Sequence, residues 1–162
     1  MDQVMPLVTD VETKLDKITS ITSAKGASQM GFGDVYTMVT QGKSVSSTIN
    51  KLIKVYTKAN PTPTESQALM PQMRHIFEME EQQMKFALDN KTTFDKIYVC
   101  GMIKKNLVRN EQQGNALAEL LIQKTEGSDK EEAVAIGERI RKGFEKTLGV
   151  YKGATGGEDK FD

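Results

Sequence analysis

Apolar residues recur at steps of three and four along most of the chain, and no stretch alternates with the period of two that a half-buried strand requires. Each such stripe makes a helix with one oily face, so the helices have to cover those faces with one another. Val4, Val8, Val11, Leu15 and Ile18 define a first helix from about Gln3 to Ser23. Gly26 to Gly33 is glycine-rich and reads as a loop, after which Asp34 is placed to cap a second helix carrying Val35, Met38, Gly42, Val45, Ile49, Leu52 and Tyr56. Asn60-Pro-Thr-Pro63 stops it. Thr64-Glu-Ser-Gln67 has the form of a capping box and opens a third helix, with Leu69, Met73, Ile76, Phe77, Met84 and Leu88 inside. Pro71 then belongs in the first turn or at a kink, which draws the start toward Met70.

A fourth helix, capped by Thr92 or Thr93 and ended by Gly127, puts Phe94, Ile97, Ile103, Leu107, Asn110, Gly114, Leu117 and Leu121 on one side. Ser128-Asp-Lys-Glu131 caps a fifth, whose inner face is Ala133, Ile136, Ile140, Phe144, Leu148 and Tyr151. The expectation is therefore an all-α fold, a single five-helix bundle over residues 1–152. Residues 153–162, with three glycines and four charges, read as a disordered tail or linker. Short connections make the third and fourth helices, and the fourth and fifth, antiparallel neighbours.

Length and charge narrow the function. A chain of 162 residues can bury a core without metal or disulfide staples. Lys and Arg number 22 against 22 Asp and Glu, which leaves no net charge to steer toward nucleic acid or an anionic membrane. The longest apolar run, Ile97 to Ile103, is too short to span a bilayer, and the opening MDQVMPLVTDVE carries acids where a signal peptide needs a basic and then apolar stretch. Met1 is equally compatible with a start from which a leader was removed. The single Cys100 excludes an internal disulfide, and no feature sets an oligomeric state.

Catalytic constellations are missing from the sequence. His75 is the only histidine, and the Glu-x-x-His repeat of a di-iron bundle does not occur. No P-loop or dinucleotide fingerprint is present, so neither a metal nor a cofactor is expected. Glu78, Glu80 and Glu81 read as a solvated acidic face. A nucleophilic Cys100 and a lipid-free helical adaptor with an outer groove are the competing readings to a binding protein.

Gaps in the stripes carry more information. Glycine inside a helix costs roughly 1 kcal/mol relative to alanine, so Gly42, Gly101, Gly114, Gly137 and Gly143 call either for close helix packing or for an elongated central hydrophobic cavity. Nine methionines give an adaptable interior, with Met38, Met73, Met84 and Met102 best placed. Asn110 on an apolar face needs a partner, which a bound carboxylate, a backbone carbonyl or another side chain would supply.

The second half also forms a recognisable unit: Lys91-Thr-Thr-Phe94-Asp-Lys96, a long helix with Gly101, Leu107, Gly114, Leu117 and Leu121, a short break, and a helix ending Ile140-Arg-Lys-Gly-Phe144-Glu-Lys-Thr-Leu148-Gly-Val-Tyr151. It resembles the fungal hydrophobic-surface-binding and cell-wall galactomannoprotein family, whose members have a Lys-x-x-Phe step before a long helix and close on Ile, Phe and a final Tyr. The likeness extends more loosely back to Gly42. It implies a secreted or cell-wall helical bundle that takes up fatty acids or related lipids, arachidonic acid among them, in a central tunnel without catalysis. On that implication Met38, Val45, Ile49, Met73, Phe77, Met84, Ile103, Leu107, Leu117, Ile136, Ile140 and Phe144 line the tunnel, and Asn110, helped by Gln113 or Ser46, meets the polar end.

Overall fold

Five long helices take the places the apolar stripes demand, and a short sixth interrupts the expected fourth. In the computed structural model, which describes residues 1–161, the order is α1 (Val4–Ala24), α2 (Phe32–Lys58), α3 (Pro63–Asp89), α4 (Lys91–Lys96), α5 (Cys100–Lys124) and α6 (Lys130–Val150). Single 3₁₀ turns lie at Ala27–Gln29, Gly127–Asp129 and Glu158–Lys160, and the described residues contain no strand.

Each long helix packs chiefly on two others, in the cyclic order α1, α2, α5, α6, α3 and back to α1. The expected pairing of the third helix with the next long one does not hold. α3 touches α5 only lightly, because α4 and the bend after it intervene, and α3 covers its apolar face with α1 and α6. At 21 to 27 residues the long helices run about 32 to 40 Å, at about 1.5 Å per residue. Val8, Val11, Leu52, Met73, Ile76, Phe77, Leu117 and Ile140 are fully buried between them. Tyr151 is buried too, and its hydroxyl donates to the Ala87 carbonyl at 2.7 Å, which ties the end of α6 to α3.

Four helix starts differ from the sequence expectation: α4 begins at Lys91 with Asn90 at its N-cap, which leaves Thr92 and Thr93 inside the helix and not at its cap, and α2, α3 and α6 differ as follows. Gly31 is the N-cap of α2, and Asp34 sits one turn inside, its carboxylate accepting from the Gly31 N–H at 3.0 Å. α3 begins at Pro63, capped by Thr62: the Thr62 hydroxyl accepts from the Glu65 N–H, and Glu65 accepts from the Thr62 N–H at 2.8 Å. Proline at the first helical position has no N–H to lose, so the box shifts two residues upstream of Thr64 and leaves Pro71 inside the helix. α6 starts at Lys130 after a 3₁₀ turn, with no side-chain cap bond from Asp129.

The break between α4 and α5 falls inside the apolar run Ile97 to Ile103. Tyr98 adopts φ 54° and is exposed, while Phe94, Val99 and Cys100 are buried on either side. A left-handed residue breaks the helix without a proline or glycine at that position to announce it.

The segment expected as a disordered tail or linker lies packed along α5, and its last residue, Asp162, falls outside the described residues. Phe161 is buried, with Arg109 4.4 Å, Lys43 4.6 Å and Lys105 5.9 Å from its ring centroid. Gly156 and Gly157 have φ values of 111° and 73°, which turn the chain back, and the Gly156 carbonyl accepts from the Met102 N–H at 2.9 Å. That bond satisfies a donor in the uncapped first turn of α5.

Candidate functional site

Neighbouring side chains fill most of the glycine gaps. A Cβ at Gly42 would stand 2.7 Å from Asn106 Oδ1, one at Gly114 would stand 2.9 Å from Glu80 Oε2 and 3.0 Å from the Phe144 ring, and one at Gly143 would meet the end of Met84 at 2.9 Å. Gly137 admits Ile122, and Gly101 admits Glu158 and the backbone of Gly156. Close approach accounts for these five glycines.

A cavity does remain, beside the groups that Gly42 and Gly114 admit. Its volume is about 60 Å³, and it lies toward one end of the ring. Ile18 and Thr22 come to it from α1, Val35, Met38 and Val39 from α2, and Glu80, Gln83, Met84, Phe86 and Ala87 from α3. Phe94 of α4, Ile103, Asn106, Leu107 and Asn110 of α5, and Phe144 of α6 complete the wall. Grooves of larger volume exist outside, one of about 410 Å³ between α5 and the tail, but they lie on the surface and several charged side chains line that one.

Six of the residues singled out in the sequence, Met38, Met84, Ile103, Leu107, Asn110 and Phe144, meet at this cavity. Val45, Ile49, Met73, Phe77, Leu117, Ile136 and Ile140 do not line it; they are buried in the remainder of the core. Asn110 finds a protein partner, its Oδ1 accepting from Ser46 Oγ at 3.5 Å, while Gln113 is buried with Oε1 unmatched.

Glu80 corrects the sequence reading most sharply. It is not on a solvated acidic face with Glu78 and Glu81 but is 5% exposed, and it lines the cavity. Burial alone pushes its carboxyl up to about 8, and Oε2 has no hydrogen-bond partner. The signal was present in the spacing: Met73, Phe77, Glu80 and Met84 continue the same three-four rhythm, so the helix carries Glu80 inward. Asn106 likewise falls in step with Ile103 and Asn110. Two further wall atoms, Gln83 Nε2 and Asn106 Oδ1, are buried without partners.

Cys100 and His75 do not form a reactive pair. His75 is exposed on α3, whereas Cys100 is buried and donates to the Lys91 carbonyl at 3.6 Å. Burial first, and then the neighbouring Asp95, push the thiol up to about 12, so the thiolate needed for nucleophilic attack is strongly disfavoured near neutrality. No cluster of three or more metal-ligating side chains occurs among the described residues, and no described helix is long and apolar enough to cross a membrane.

No family model and no curated protein matches this chain in sequence. In fold it matches ligand-binding domain 2 of the Penicillium marneffei MP1 protein in complex with arachidonic acids, with a TM-score of 0.83 and 15% identity over 96% of both chains. Ligand-binding domain 1 of the same protein, complexed with arachidonic acids, gives 0.77 and 12% over 91% of this chain and 95% of that one. The Aspergillus protein Afmp4p in complex with palmitic acid gives 0.79 and 11%, over 93% and 98%. At these identities the likeness is one of fold: the chain has the all-helical architecture of fungal mannoprotein lipid-binding domains.

Proposed function

We propose that this protein binds a fatty acid or a related lipid and sequesters it without chemistry, the acyl chain entering the ring of helices at the cavity beside Glu80. One observation carries the reading: nearly the whole chain shares its fold with domains solved around arachidonic and palmitic acids, and the interior cavity is walled mostly by hydrocarbon.

The energetics suit capture. Burying ten methylenes contributes on the order of 8 kcal/mol before association costs, enough for useful affinity without a covalent bond. The cavity of about 60 Å³ is smaller than the roughly 150 Å³ that holds a benzene, so its wall has to yield to an acyl chain. Met38 and Met84 are suited to this, being unbranched side chains that repack at low cost. Loading therefore pushes apart the end of α3 and the start of α5, whose side chains meet at the cavity. We assign the protein, as part of the same reading, to a secreted or cell-wall setting like that implied by the family resemblance.

Displacement of a fluorescent fatty-acid probe by unlabelled palmitic acid, followed by native mass spectrometry of the loaded protein, tests the proposal. Saturable displacement and a mass increment of one or more lipids are expected. A protein that neither takes up the probe nor retains lipid is an adaptor instead, and the reading is lost.

A further inference from the structure

Three polar atoms in the cavity wall lack partners, and they belong to different chemical types. Gln83 Nε2 is a donor in want of an acceptor, Asn106 Oδ1 is an acceptor in want of a donor, and Glu80 Oε2 belongs to a carboxyl group that can do either once protonated. All three residues line the same cavity, and the three atoms are shut off from water. A buried group left in this condition costs free energy, which makes the trio a built recognition point with an unfilled complement. An ammonium headgroup has donors only and would leave Gln83 unmatched. A carboxyl group accepts from Gln83 and from Glu80, and in its acid form also donates to Asn106.

We infer that the cavity receives the lipid by its carboxyl end, and that Glu80 and the lipid carboxyl hold one proton between them, so that uptake is coupled to proton retention and release to proton loss. The inference rests on the lipid-binding reading above and specifies the headgroup and its control. No covalent bond forms or breaks. A lipid entering as the carboxylate accepts the Glu80 O–H; when that proton passes to solvent, two carboxylates face each other in an apolar site and the lipid is expelled. Surrounding charges do not offset this. Among the lining residues α1, α2, α4, α5 and α6 present only uncharged side chains to the cavity, and Glu80 is the one titratable group there. The ion pairs of Arg139 with Glu81 and of Arg74 with Glu132 join α3 to α6 through partly exposed side chains that take no part in the wall.

The test compares labelled palmitic acid with hexadecan-1-ol on the full chain between pH 6.5 and 9.5, in the wild type and in Glu80→Gln. The expected fall in affinity for the acid is about 30-fold in the wild type, because the upper pH lies about one and a half units beyond a titration centred near 8. The alcohol should bind with no such loss, and Glu80→Gln should hold the acid with a flat profile across the same range. Calorimetry of the wild type at pH 9 in two buffers of different ionisation enthalpy should register uptake of close to one proton per palmitic acid bound, a readout independent of the variant. Equal pH profiles for wild type and variant, or no proton uptake, overturn the shared-proton site while leaving lipid binding intact. Failure of both lipids to bind at every pH overturns the lipid-binding reading, and the inference with it.

Discussion

At the level of single residues, Glu80 sets a pH dependence on stability that can be read before any ligand is added. Its folded-state carboxyl titrates near 8 and its unfolded-state carboxyl near 4.5, so the folded protein holds the proton more firmly. Stability from this group is complete below the lower value, declines as pH rises between the two, and is gone above the higher one. The loss across that window is on the order of 5 kcal/mol. Denaturant melts at pH 5 and pH 9 should show it in the wild type, and Glu80→Gln should reduce the difference to the remainder of the titrating groups. The residue was legible in the sequence in one respect and hidden in another. Its step from Phe77 puts it on the buried face, but a glutamate next to Glu78 and Glu81 reads as solvated unless the glycine opposite it is known, and Gly114 comes from a helix more than thirty residues away. The same holds for Asn106, which Gly42 accommodates from α2.

At the level of elements, the stripes located the five long helices, because burying an apolar face dominates helix formation in a chain of this length. The ends were less legible. Two threonine boxes compete at the start of α3, and the choice falls to the one with proline at the first helical position. Thr62→Ala should therefore cost about 1 kcal/mol in a urea melt, while Thr64→Ala, inside the first turn and exposed, should stay within about 0.5 kcal/mol of the wild type. Equal costs would return the cap to Thr64. The split of the fourth helix could not be read at all, since the residues on both sides of Tyr98 are apolar and the break shows only in its left-handed φ, between the buried Phe94 and Val99.

At the level of the whole molecule, five helices arranged in a ring leave an axis that side chains alone have to fill, and the candidate site is where they fill it least. Six of the residues proposed from sequence lie there and seven in the solid remainder. Periodicity finds the inward face of every helix but not the height along the axis at which packing fails. The C-terminal segment completes the assembly by closing the open first turn of α5 through Gly156. Phe161→Ala should release it: the Met102 amide is expected to exchange at least tenfold faster, with a global loss of about 2 kcal/mol or less, as hydrogen exchange by NMR and thermal melting would measure. An unchanged Met102 rate would mean that the segment holds without its aromatic anchor.

The distribution of sulfur through this architecture has an outcome for oxidative settings. Met30, Met70, Met73, Met79, Met84 and Met102 are sealed from solvent, whereas Met38 is half-open and sits in the cavity wall. Peroxide reaches Met38 well before those six, and a sulfoxide there would place a strong dipole where the proposed hydrocarbon guest has to pass. Chemical ageing would thus blunt the proposed cargo uptake long before it loosened the scaffold.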